Sequence, residues 1–182
     1  MAKISDITQY LTTGEEVIIR NPRAEDAFHL IAFLQLILTD GSGMVAITGE
    51  VPTDIDEQRL SIENFLQNER ALLLAAFCDS LIVGYLDFRP QTRARLKHSG
   101  EFGISVSPQW RGKGLGKFLM AAFLDWAQNS PVEKVNLRVR ADNPRARALY
   151  ESLGFTEQGH LPQEIKLEDG SYVDDVSMYK FV

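Results

Sequence analysis

Val106-Ser107-Pro108-Gln109-Trp110-Arg111-Gly112-Lys113-Gly114-Leu115-Gly116-Lys117 joins an extended segment to a helix through a glycine-rich turn. Leu115, Phe118, Leu119, Ala122, Phe123 and Trp126 recur at three- and four-residue spacing, which predicts an amphipathic helix beginning inside this stretch. Glycines at 112, 114 and 116 leave the backbone N–H groups ahead of that helix uncovered. Uncovered N–H groups and the positive end of the helix dipole make an anion site, most naturally for phosphate. Lys113 and Lys117 add charge to it. A Walker-A loop is excluded, because three residues and not four separate Gly112 from Gly116-Lys117, and Phe118 stands where Ser or Thr is required. A dinucleotide fingerprint is excluded because Lys117 takes the place of its third glycine.

A second segment, Asn143-Pro144-Arg145-Ala146-Arg147-Ala148-Leu149-Tyr150-Glu151-Ser152-Leu153-Gly154-Phe155, carries its own helix signals. Asn143 suits the N-cap and Pro144 the first helical position. Ala146, Leu149, Tyr150 and Leu153 share a face, and Gly154 is placed to end the helix in a left-handed conformation. Together, Arg111-x-x-Gly114-x-Gly116 after Val106-x-Pro108, and then Asn143 through Leu153-Gly154-Phe155, resemble the two signatures of the GCN5-related N-acetyltransferase (GNAT) superfamily, in that family's order. The likeness runs over most of the chain, from about residue 17 to 182.

Composition is consistent with that resemblance. A chain of 182 residues, with hydrophobic residues at 45% and charged residues at 24%, is long enough for one domain with a sizeable core, so 1–182 is read as a single domain. The net charge of −6 argues against nucleic-acid binding. A local basic cluster, Arg89, Arg93, Arg95, Lys97 and His98, has two readings: a solvated loop, or a patch that meets cofactor phosphates or an acidic substrate. With Cys78 as the one cysteine, no intrachain disulfide can form, as expected of a reducing cytoplasm, and this thiol reads as structural. No apolar run approaches membrane-spanning length and the N-terminus lacks a signal-peptide core, so a cytoplasmic protein without a membrane partner is expected.

Hydrophobic patterning predicts strands at 17–20, 72–78, 81–88, 101–106, 135–140, 155–160 and 172–180, and helices at 24–38, 56–68, from the glycine turn to about 129, and after Asn143. Residues 1–16 are weakly patterned and 39–52 read as a loop. The fold class is therefore α/β (α+β), a mixed sheet of about seven strands with flanking helices. This order is that of the GNAT-type acyl-CoA N-acyltransferase fold. The resemblance further implies that the strands at 101–106 and 135–140 splay, and that the pantetheine arm of acetyl-CoA bonds in the gap much as an added strand would.

What the resemblance implies for chemistry is specific. Acetyl-CoA is the acyl donor, no metal takes part, and a primary amine of a small molecule (polyamine, amino acid or similar) attacks the thioester directly. The alternatives are a protein N-terminal or lysine acetyltransferase, and, from another class, a non-catalytic acyl-CoA-binding regulatory module. The acceptor is thus a small amine or a peptide, and relatives often form homodimers; acidic residues such as Glu50, Asp54, Glu164 and Asp174 have two readings, a solvated acidic face or a field that steers a cationic amine. Backbone at Ile104, Ser105 and Val106 meets the pantetheine. Arg111, Gly112, Lys113, Gly114, Leu115, Gly116 and Lys117 hold the diphosphate, and Asn143 contacts the cofactor. An alkylammonium with a pKa of about 10.4 must lose a proton before it attacks, and the leaving thiolate must gain one. Tyr150, protonated at neutral pH, is the general acid; Glu101 is the candidate base, with a water relay as the alternative.

Overall fold

The computed structural model describes residues 3–40 and 51–182. One eight-stranded sheet runs through it in the order β1-β2-β3-β4-β5-β6-β8-β7. The strands are β1 (Ile7–Tyr10), β2 (Glu16–Arg20), β3 (Leu72–Cys78), β4 (Leu81–Pro90), β5 (Ser99–Val106), β6 (Lys134–Arg140), β7 (Thr156–Lys166) and β8 (Tyr172–Phe181). The helices are α1 (Ala27–Asp40), α2 (Ile55–Gln67), α3 (Leu115–Gln128) and α4 (Pro144–Ser152). The sheet has one strand more than patterning predicts. The addition is β1, which pairs antiparallel with β2 from Ile7↔Ile19 to Tyr10↔Glu16. Four residues are too few for a two-residue period to stand out, so the segment reads as unpatterned. The predicted loop at 39–52 begins later than expected, since Thr39 and Asp40 close α1, and its residues 41–50, with Glu50 among them, lie outside the described residues.

The sheet buries both faces. On one, Leu119, Phe123 and Trp126 of α3 pack on Leu86, Phe88 and Phe102, joined by Val135, Leu137 and Val139 of β6. On the other, Leu30, Phe33, Leu34 and Ile37 of α1 and Ile62 of α2 pack on Leu73, Ala75, Phe77 and Tyr85. Asp54 caps α2 by accepting the amides of Asp56 and Glu57 at 2.8 and 3.0 Å, which satisfies donors that the first helical turn leaves open. β7 is longer than predicted because its ladder to β8 shifts register twice, with Gln163 at φ 53° in the second irregularity.

The feature that positions the site is in the middle of the sheet. β5 follows β4 antiparallel from Gly100 through Val106, and β6 follows β8 from Lys134 through Arg140. Between them, β5 and β6 are parallel but pair only at Ser99↔Lys134, Gly100↔Val135 and Glu101↔Asn136. Beyond Glu101 the two strands part, leaving one edge of each without ladder partners. The Asn136 amide donates to the Gly100 carbonyl at 2.9 Å, tying the strands at the point of divergence. A side chain at Gly100 would meet the Phe88 ring and come within 2.5 Å of the Arg89 carbonyl oxygen. Gly100→Ala should therefore lower the unfolding free energy by about 1–3 kcal/mol, measured by urea denaturation, since backbone on one side leaves the methyl nowhere to go.

Candidate active site

The glycine turn enters α3 with Gly112 at φ 82° and Gly114 at φ 94°, left-handed values that favour residues without a β-carbon. The backbone N–H groups of residues 112–116 donate to nothing among the described residues: the first bonded amides are those of Lys117 and Phe118, which both reach the Gly114 carbonyl. No side chain caps the helix. These amides form one wall of a cleft of about 930 Å³. Ile104 and Val106, from the parted segment of β5, form a second wall, and Asn143, Ala146, Leu149 and Tyr150 of the α4 region form a third. The structure thus brings the glycine turn, the parted β5 edge, Asn143 and Tyr150 to a single cleft.

Tyr150 is 6% exposed and lies edge-on to Phe102 and Phe155, with ring centroids 6.0 and 5.9 Å away. Burial pushes its phenol up to about 12. Arg147 Nε is the one buried side-chain polar atom without a partner among the described residues, so the unpartnered Tyr150 hydroxyl is open to the cleft. Asn143 acts as the predicted N-cap, its side-chain oxygen accepting the Ala146 amide at 3.1 Å, and Gly154 ends α4 at φ 82°.

The cations do not all go where sequence reasoning sends them. Arg111 donates from Nε to the Val106 carbonyl at 2.9 Å and from Nη2 to Asp40 at 2.7 Å. Lys113 donates to Glu15 at 2.7 Å and sits 4.8 Å from the centre of the Trp110 ring. Both contacts brace the loop. The hydrogen bond from Lys113, followed by one from Thr13, holds the Glu15 carboxyl down to about 2. Lys117 is exposed on α3 and, like Arg111, lines the cleft. The cation that the sequence reading overlooks is Arg145 on the first turn of α4, whose Nη2 lies 2.9 Å from where a β-carbon on Gly112 would be. It lines the cleft and has no ion pair among the described residues. A signal was available: the positive end of a helix dipole is an unfavourable place for an unpaired arginine, and the first turn of α4 holds no acid to offset it. The basic run after Arg89 lies elsewhere. Its loop enters β5 at Ser99, seven residue steps, or about 23 Å, from the Val106 end that borders the glycine turn.

The opposite side of the gap is polar. Glu101, Gly103 and Ser105 alternate with Phe102, Ile104 and Val106 and so face the α1–α2 side of the sheet. Glu101 is exposed and stands where β5 still pairs with β6. Asp87, unremarked in the sequence reading, lies across from Gly103 in the parted stretch, 16% exposed, with its carboxylate 2.8 Å from Arg89 Nε. Burial pushes its carboxyl up, against Arg89 and the Tyr85 hydroxyl, which favour the charged form. A β-carbon on Gly103 would come within 3.2 Å of Asp87 Oδ1, so the glycine leaves that oxygen uncrowded. Arg138 is paired with Glu164 at 2.8 Å. Cys78 is partly buried on β3, where burial pushes its thiol up, which suits a structural residue. Among the described residues no group of His, Cys, Asp or Glu is placed to hold a metal ion, and no helix is long and apolar enough to cross a membrane.

A mixed sheet parted between two parallel strands, with an uncapped glycine turn at the open end, forms a cleft suited to an extended ligand that ends in an anion. The chain belongs to the acetyltransferase (GNAT) family, whose model matches residues 39–155. It is 33% identical over 102 residues to the L-amino acid N-acetyltransferase AaaT of Escherichia coli, a match covering 56% of this chain and 62% of that protein. It is 38% identical over 85 residues to the spermidine N(1)-acetyltransferase of Vibrio cholerae, covering 46% of this chain and 49% of the relative. The matches thus span about half to three-fifths of those relatives' length. An acetyltransferase of the GNAT family from Streptococcus pneumoniae has the same fold, with a TM-score of 0.87 at 24% identity over 91% of this chain and 99% of that one.

The buried phenol has a measurable signature. A folded-state pKa of about 12 against 10.0 for the unfolded chain keeps the folded protein protonated where the unfolded one ionises, so stability falls as pH rises above 10. By pH 11 the Tyr150 contribution to that loss is on the order of 1 kcal/mol, and Tyr150→Phe should lose less stability than wild type by this amount between pH 9 and 11 in urea denaturation.

Proposed function

We propose that this chain transfers the acetyl group of acetyl-CoA to a primary amine of a small molecule (a polyamine, an amino acid or similar) by direct attack on the thioester. The observation that carries this reading is the parted β5–β6 gap, with free amides at its open end and the Tyr150 hydroxyl opening into the same cleft. The diphosphate of acetyl-CoA lies against the amides of residues 112–116, with Arg145 above Gly112 adding charge beside Arg111 and Lys117 on the cleft lining, while Lys113 is committed to Glu15. The pantetheine amides bond to the free edge of β5 at 102–106, as an added strand would. Phosphate at one end and strand-like pairing at the other hold the thioester in one orientation, which converts a chance encounter into a positioned one.

The acceptor approaches from the α1–α2 side, the face of the sheet shared by Asp87 and Arg89 of β4 and by Glu101 and Gly103 of β5. An amine enters as ammonium and must give up a proton to expose its lone pair. Asp87, largely buried and across from Gly103, takes that proton directly or through one water. Glu101, at the closed end of the gap, adds negative charge that draws the cation in. The amine nitrogen then bonds to the carbonyl carbon, oxygen charge is met by backbone N–H groups of the parted β5 segment, and the carbon–sulfur bond breaks. The departing thiolate takes the proton of Tyr150, and the acetylated nitrogen gives up its surplus proton, which returns through water to the phenolate. The phenol is protonated at neutral pH; burial makes it a weaker acid, so its role rests on its opening into the cleft and not on its acidity.

A panel of polyamines, amino acids and peptides assayed with acetyl-CoA and thiol detection tests the reading. Turnover on a small amine is expected; binding of acetyl-CoA with no turnover on any acceptor would reduce the chain to a binding module. Tyr150→Phe should lower kcat by about tenfold or more while KM for acetyl-CoA stays within about twofold, and an unchanged kcat in single-turnover assays would remove the phenol from the mechanism. Asp87→Asn should show a similar loss at neutral pH. Its deficit should shrink as pH rises toward the amine's own pKa, about 10.4, where free amine no longer needs a proton acceptor.

A further inference from the structure

The extra strand β1 turns into β2 through Leu11 to Glu15, and this turn is docked on the glycine loop roughly a hundred residues further along the chain. Thr12 donates twice to the Lys113 carbonyl, from its backbone amide at 3.1 Å and from its hydroxyl at 3.3 Å. Three residues on, Glu15 accepts from Lys113 Nζ at 2.7 Å. The turn is itself internally tied, with the Leu11 amide on the Glu15 carbonyl and the Gly14 amide on the Leu11 carbonyl, each at 2.9 Å. Lys113 is therefore held at both ends, by its carbonyl and by its ammonium.

The backbone contact has a geometric consequence. In a trans peptide the carbonyl and the following N–H point in opposite directions from one plane. Holding the Lys113 carbonyl toward Thr12 fixes the direction of the Gly114 N–H away from the hairpin. Gly114 lines the cleft and is one of the residues whose amide has no partner among the described residues. At φ 94° it lacks the steric restraint a side chain would impose, so an external tie sets its peptide plane.

We infer that the β1–β2 turn is a positioning element of the cofactor loop, in which Thr12 and Glu15 act through Lys113 to aim the Gly114 amide at the diphosphate. This deepens the proposed function and rests on it. The Glu15–Lys113 pair is partly exposed, at 33% and 25%, so it contributes little to stability; its effect lies in preorganising the loop.

The sign of one substitution separates this from a direct role for Lys113. Were Lys113 a phosphate ligand restrained by Glu15, removing Glu15 would release it and tighten binding. As a positioning contact, Glu15→Ala weakens binding instead. In calorimetry and steady-state assays, Glu15→Ala and Lys113→Ala should each raise Kd and KM for acetyl-CoA by about three- to tenfold, with kcat within about twofold. The double variant should lose no more than the weaker-binding single, because the two residues act as one unit. Glu15→Gln, which keeps a hydrogen-bond acceptor, should fall between wild type and Glu15→Ala, and serves if the alanine variant does not fold. Unchanged or tighter binding in the Glu15 variants, or losses that multiply in the double variant, would overturn the inference. Wild-type protein that binds no acetyl-CoA would overturn the proposed function and this inference with it.

Discussion

Everything at the site depends on a parallel ladder that stops after three residue pairs. Each of its strands is fully held on its other side, β5 by β4 and β6 by β8, so the two can diverge without losing their place in the sheet. Parallel strands normally satisfy one another along their length, because unpaired backbone groups in a sheet interior are costly. Here the unpaired stretch opens on a cleft, where solvent or a bound chain of amides satisfies it. The close approach at Gly100 and the Asn136 hydrogen bond set where the parting begins. The Phe102 ring, on the first residue beyond it, reaches both Phe123 of α3 and Tyr150 of α4. The same few residues that open the gap therefore also hold the cleft's phenol in place.

Charge is distributed around the cleft by a different logic than proximity in sequence suggests. Lysine and arginine inside a phosphate loop invite the expectation that they bind phosphate. In this chain they are fastened to Glu15 and Asp40, and their own geometry becomes a scaffold for backbone donors. An arginine on α4, Arg145, faces the loop as well. On the α1–α2 side of the sheet, Arg89 is likewise tied to Asp87, which keeps a largely buried carboxylate oriented without neutralising its tendency to take a proton.

The parts of this architecture legible in the sequence are those whose signals are local. Three alternating glycines before an apolar stripe, and Asn143-Pro144 at one end of a helix with Gly154 at the other, each state their structure within a dozen residues. The extra strand β1 was not legible because four residues carry too little pattern, and its worth lies in pairing with β2. Asp87 was hidden for a related reason. A single acid in the alternating strand 81–90 reads as a solvent-facing position, and its burial depends on Tyr85, on Arg89 and on the cross-strand glycine. The parting of β5 from β6 came from family resemblance, since both segments show the same alternation whether paired or free. Arg145 sat in plain view inside a motif, masked by neighbours that explained the helix without it.

Because Ile104 and Val106 look to one side of the sheet and Glu101, Gly103 and Ser105 to the other, the gap has two mouths on the proposed reading. Donor and acceptor can then occupy it together, neither blocking the other's entrance. The chain's one cysteine sits on β3, away from that passage, so no thiol stands there to carry the acyl group between visits. Such a layout implies a ternary complex, with double-reciprocal plots that intersect instead of running parallel.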